Sequence, residues 1–166
     1  QQPQQTERQR SGSGNVAGLP LSETTIADRL KAAGYATGRV GKWHLGHANE
    51  SFMPTGQGFD RYFGLLSSND MIKPCVNTDK PMRLYRDLKP TGEFPVDQKR
   101  LTSSYTEEAI NFIQSNKDRP FFLYLPYSMP HVPISTEDHF LGTSDAGLYG
   151  DVIETIDWSA GKIIEA

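Results

Sequence analysis

Cysteine occurs once in the 166 residues, at Cys75. That excludes an internal disulfide and a cysteine-based zinc cage. No stretch rich in Lys and Arg stands out, and the formal net charge is −3. Both features argue against nucleic acid, whose phosphates are neutralised by clustered cations. No apolar run approaches the roughly 18 residues that a membrane span needs. The longest, residues 120–127, suits one buried strand. A signal-peptide pattern is also lacking, since the first residues are Gln-rich and polar. What is present is 36% hydrophobic and 22% charged, the balance of a globular chain rather than a disordered one. The length suits one domain with one core.

Residues 1–18 are polar, Gly/Ser/Gln-rich and without apolar period, which predicts a flexible lead-in before a domain over 19–166. In 22–34 the residues Ile26, Leu30 and Ala33 fall on one helical face, with Thr24 or Thr25 as cap and Gly34 as stop. Short strands are predicted over 35–40 and 62–66. Residues 67–99 hold four prolines and little periodicity, which reads as a long irregular insertion. A helix over 104–114 starts on a Ser104–Glu107 capping box, with Tyr105, Ala109 and Phe112 inside. Residues 121–125 make the clearest strand. A last helix spans about 148–165, with Leu148, Val152, Ile156 and Ile163 on its inner face. This alternation predicts an α/β fold with a mostly parallel sheet flanked by helices. In such sheets ligands bind beyond the carboxyl ends of the strands. The segments Lys42 to His44 and Pro130 to Pro133 both sit there.

If the chain stays extended, Lys42 and His44 face one side and Trp43 the other. An ammonium beside an imidazole suits an oxyanion such as sulfate or phosphate, and Gly41 and Gly46 allow close backbone approach. An exposed lysine and a structural histidine beside a core tryptophan fit the same spacing. A P-loop is excluded, because its pattern needs Gly and Ser/Thr where Ala36 and Trp43 stand. His131 follows the strongest strand between Pro130 and Pro133, which stiffen its loop. It can act as a general acid or be a loop histidine without a task. His47 and His139 lie in polar loops and are expected outside any site. Ser68 and Asp70 either line a pocket or make a turn. Asn49-Glu50-Ser51 matches the N-glycosylation pattern.

Gly34-Tyr35-Ala36-Thr37-Gly38-Arg39-Val40-Gly41-Lys42-Trp43-His44-Leu45-Gly46 resembles the second signature of the sulfatase family. Gly56-Gln57-Gly58-Phe59-Asp60-Arg61-Tyr62-Phe63-Gly64, Ser67-Ser68-Asn69-Asp70, the Pro120–Tyr124 strand with Pro130-His131, and 149–161 resemble its following segments in order. The resemblance covers about 19–166. It implies an alkaline-phosphatase-like fold and hydrolysis of sulfate esters by a formylglycine nucleophile, with a calcium ion that neutralises the sulfate. It implies that Lys42 contacts the sulfate, that His44 serves the formylglycine hydroxyl, and that His131 protonates the leaving oxygen and contacts substrate. Ser68 would be a substrate-binding serine. The implied substrate is a sulfated small molecule or glycan, in a periplasmic, extracellular or lysosomal setting.

The resemblance also implies parts that this sequence lacks. There is no C/S-x-P/A-x-R segment, and Cys75-Val76-Asn77-Thr78-Asp79 does not supply one. Neither the paired aspartates nor the Asp-Asn pair expected to hold calcium are present, so no metal ligand is assigned within the chain. The expectation is an internal fragment of the fold, truncated at both ends and inactive alone. Two alternatives remain open: a non-catalytic remnant or binding protein, and a phosphatase or phosphodiesterase on the same fold.

Overall fold

The computed structural model describes residues 18–166. The expected lead-in lies outside the described residues, except for its last position. Helix α1 (Ile26–Ala32) begins where Thr25 caps it. The Thr25 hydroxyl accepts from the Asp28 amide at 3.0 Å, and the Asp28 carboxylate accepts from the Thr25 amide at 2.8 Å. That reciprocal box fixes the start at Thr25. The inner face differs from the expected one: Ile26 is exposed, and Ala27 is the buried residue. A helix of 7 residues meets the sheet over less than two turns, and a small side chain makes that contact.

The strands are β1 (Ala36–Val40), β2 (Arg61–Leu65), β3 (Leu84–Arg86), β4 (Lys89–Pro90) and β5 (Phe121–Tyr124). They form one mixed α/β sheet in the order β4-β3-β2-β1-β5. β1 runs parallel to both β2 and β5, while β3 and β4 are antiparallel additions. The β3–β4 hairpin lies inside the stretch read as irregular. Its strands are too short to show a period, and Pro90 masks the second, although proline is tolerated on an edge strand.

Alternation along the strands separates two cores. On one face Val40, Phe63, Leu65 and Leu84 pack with Leu101, Tyr105, Met129 and Val152. These last residues bring in helices α2 (Leu101–Asn116) and α3 (Gly147–Ile164). On the other face Tyr62 and Leu66 pack with Ala27, Trp43, Met53 and Phe59. Tyr105, Ala109 and Phe112 do form the inner face of α2. The helix starts at Leu101, however, and Ser104 lies within it. A preceding turn over Gln98–Arg100, capped by Asp97, runs directly into the helix, so the Ser104–Glu107 box does not form. The inner face of α3 is more polar than expected. Asp151, Val152, Thr155 and Ser159 are buried, whereas Leu148 is exposed. Hydroxyl pairs hold this face: Tyr127 with Ser159 at 2.6 Å and Thr136 with Thr155 at 2.7 Å. An apolar-period reading passes over them because it scores threonine and serine as outward-facing.

Candidate functional site

The carboxyl ends of β1, β2 and β5 meet at one edge of the sheet because the three strands are parallel. β1 leaves the sheet at Gly41, with φ of 124°. A Cβ there would fall 2.0 Å from the Pro126 carbonyl oxygen, so only glycine fits. The following residues stay laced to both neighbours. The amides of Gly41, Trp43 and His44 donate to the carbonyls of Phe63, Leu65 and Leu66 at 2.7, 2.8 and 3.1 Å. The Lys42 amide donates the other way, to Pro126 O at 2.9 Å. Lys42 is half-buried and His44 exposed. Strand alternation does not set the direction of His44, which takes left-handed backbone with φ of 57°.

Trp43 anchors this segment from below. It is buried, and its indole N–H donates to Gly46 O at 2.7 Å and Phe52 O at 2.8 Å. Arg39 lies beside it, 5% exposed. One guanidinium nitrogen donates to the Lys42 and Trp43 carbonyls. The group stacks 4.5 Å from the Trp43 ring and 4.7 Å from the Tyr124 ring. Burial lowers its pKa to about 10, so it stays charged at neutral pH. A lone charge inside the buried strand β1 was the signal for this residue in the sequence.

His131 stands in the loop after β5, exposed, with its amide donating to Ser128 O at 3.2 Å. Its ring Nδ1 lies 2.7 Å from Val132 O. A carbonyl can only accept, so Nδ1 carries the proton and Nε2 is left open. The loop after β2 holds this histidine loop in place. Asn69, 0% exposed, directs its side-chain nitrogen at His131 O, Pro133 O and Gln98 Oε1, at 3.2, 3.3 and 3.3 Å. Gln98 returns a bond to the Asn69 carbonyl at 3.2 Å. Sequence reading missed Asn69 and Gln98, since neither residue type nor spacing marks a clamp between distant loops.

Next to Asn69, Asp70 draws the site residues together. Its carboxyl is held below the usual carboxylate range, first by the Ser68 hydroxyl, then by His131 and His44, against the opposing effect of burial. The Ser68–Asp70 approach falls short of hydrogen-bond geometry. Ser68 Oγ, Asn69 Oδ1 and Asp70 Oδ1 are all buried without a partner among the described residues. Asn69 ties this turn to the His131 loop, and the charges of His131 and His44 act on Asp70, while Lys42 is held through its main chain by Pro126 and Arg39.

His47 is exposed; its pKa is lowered by burial first, then by Lys80 and His44. His139 does lie elsewhere, against Phe140, which in turn packs on Trp158 of α3. A hollow of about 600 Å³ lies between the sheet and α2 and includes none of Lys42, His44, Ser68 or His131. Among the described residues no group of three or more His, Cys, Asp or Glu side chains could hold a metal ion. The described residues therefore do not fit the calcium that the resemblance implies. No described helix is long and apolar enough to cross a membrane.

Comparison with known proteins identifies the family. The family model described as Sulfatase matches residues 3–166. The N-acetylgalactosamine-6-sulfatase of Mus musculus is 44% identical over 160 residues, covering 90% of this chain and 30% of the relative. Arylsulfatase G of Rattus norvegicus is 36% identical over 176 residues, covering 90% and 33%. A crystal structure of Ps i-CgsB in complex with k-i-k-neocarrahexaose superposes with a TM-score of 0.71 at 28% identity, over 92% of this chain and 38% of that one. The chain thus spans about a third of the length of the proteins it matches.

Proposed function

Since the chain belongs to the sulfatase family, we propose that it is the sulfate-binding and proton-handling part of a sulfuric ester hydrolase acting on sulfated sugars. The Lys42 ammonium binds a sulfuryl oxygen of the substrate. Ser68 donates its hydroxyl, which has no partner among the described residues. His131 delivers a proton to the ester oxygen as the S–O bond breaks, and the sugar leaves as an alcohol. The supporting observation is the 2.7 Å contact of His131 Nδ1 with Val132 O. It keeps Nδ1 protonated in both charge states, so Nε2 alone exchanges the proton. His44 serves the nucleophile's hydroxyl. The formylglycine nucleophile and the calcium ligands belong to another part of the protein; bound there, calcium would supply positive charge at the sulfate. The 166-residue chain alone is then inactive. The sugar substrate is favoured by the N-acetylgalactosamine-6-sulfatases at 42–44% identity. The working compartment is lysosomal, periplasmic or extracellular.

The test uses the longer protein that carries this segment. Lys42→Ala and His131→Ala should each lower kcat/KM on N-acetylgalactosamine 6-sulfate by roughly 100-fold or more. Unchanged turnover in either variant, or faster hydrolysis of the corresponding 6-phosphate, would overturn the reading.

A further inference from the structure

The Ser68-Asn69-Asp70 turn is polar in an unusual way for the edge of an oxyanion site. Asn69 Oδ1 and Asp70 Oδ1 are acceptors, both buried, and no donor reaches either among the described residues. The Asn69 amide cannot turn to relieve this, because its nitrogen faces His131 O, Pro133 O and Gln98 Oε1. Its oxygen is therefore fixed on the opposite side. Leaving a buried acceptor empty is unfavourable unless a ligand supplies the donor.

The chemistry of that donor is constrained by the surroundings. A sulfate group offers only acceptor oxygens and repels a carboxylate, so the sulfate does not sit on Asp70 itself. A metal ion is disfavoured because three-residue ligand clusters are absent among the described residues. His131 does not take up the carboxylate oxygen, since its Nδ1 is committed to Val132 O and Asp70 Oδ1 has no partner among the described residues. A neutral hydroxyl meets every condition. On the sulfatase reading the site then has two halves, one for an anion at Lys42, His44, Ser68 and His131, and one for a hydroxyl at Asn69 and Asp70. A ligand that fills both carries a sulfate ester and a nearby hydroxyl on one small frame.

We propose that Asp70, steadied by Asn69, is a specificity-determining residue that accepts a hydrogen bond from a hydroxyl of the sugar bearing the sulfate ester. This rests on the sulfatase reading of the same site. It assigns the substrate class as sugar sulfates in preference to aryl sulfates, which lack the hydroxyl. A site built to accept a substrate O–H discriminates strongly against analogues without one.

Two experiments separate this inference from the reading beneath it. In the longer protein, Asp70→Asn should lower kcat/KM on N-acetylgalactosamine 6-sulfate roughly 10- to 100-fold, and on 4-methylumbelliferyl sulfate by less than about 3-fold. Equal loss on both substrates would mean that Asp70 acts through His131, and no loss on either would mean no role; both outcomes overturn the proposal. The second experiment needs no turnover. In the unaltered 166-residue chain, unsulfated N-acetylgalactosamine should shift the backbone NMR signals of Asn69 and Asp70, and inorganic sulfate those of Lys42, His44, Ser68 and His131. Sugar that leaves 69 and 70 unmoved overturns the proposal, as does calcium alone moving them. If the longer protein hydrolyses neither ester while the sugar still shifts 69 and 70, the sulfatase reading fails and the hydroxyl site stands.

Discussion

Asn69→Ala tests the clamp between the loops after β2 and β5. The side-chain nitrogen carries two hydrogens and faces oxygens of His131, Pro133 and Gln98 at 3.2 to 3.3 Å. At most two of these contacts are well-formed bonds at once. Two buried neutral bonds contribute about 2–3 kcal/mol. Removing the unpartnered Asn69 Oδ1 returns part of that, so the expected net loss is about 2 kcal/mol. With a urea m-value of about 2 kcal/mol per molar, the midpoint should fall by roughly 1 M with an unchanged slope. Gln98→Ala should remove less than Asn69→Ala, because it keeps the two main-chain contacts to the histidine loop. The double variant should lose less than the sum of the two single losses, since both remove the same Asn69–Gln98 pair. A loss for Asn69→Ala under about 0.5 kcal/mol, or strict additivity with Gln98→Ala, would refute the clamp.

Gly64→Ala should destabilise by more than about 3 kcal/mol, because a Cβ would stand 2.0 Å from Gly41 O at a φ of 152°; a folded variant with an unshifted melting temperature would contradict this. Trp43→Phe removes the indole donations to Gly46 O and Phe52 O, so about 1–2 kcal/mol should be lost, with hydrogen exchange quickening between 44 and 52 if the anchor is real. Asp151 accepts from the Gly142 and Ser144 amides, which hold its pKa below the usual value. Its contribution should be complete above about pH 4 and vanish as pH falls through the lowered pKa. The stability gap between wild type and Asp151→Asn should close in acid, and a gap that persists at pH 2 would refute it. The purified 166-residue chain should not hydrolyse 4-methylumbelliferyl sulfate, and turnover abolished by Lys42→Ala would sink that expectation.

The parallel core was legible in the sequence because β5 is a compact apolar run between Pro120 and Pro126, and β1 is a short segment between Gly34 and Gly41. The site segments were legible because they follow those runs directly. The β3–β4 hairpin was not, since three- and two-residue strands are too short to carry a period. Helix faces failed where contact is made by small or hydroxyl side chains, as at Ala27, Thr155 and Ser159. Strand alternation does not reach His44, because that residue takes left-handed backbone. Asn69 and Gln98 escaped because their meaning is a pairing between positions far apart in the chain.

Arg39 has a consequence for the field at the site. Its charge faces carbonyl oxygens and aromatic rings, and no carboxylate pairs with it in any described salt bridge. A guanidinium with a pKa of about 10 keeps its charge from acid through neutral pH. At an effective dielectric near 20, a unit charge about 10 Å away still contributes on the order of 1–2 kcal/mol to an anion. Burial also shields it from the salt that screens surface lysines. The turn from Lys42 to His44 therefore rests on a standing positive potential, independent of pH and only weakly sensitive to ionic strength.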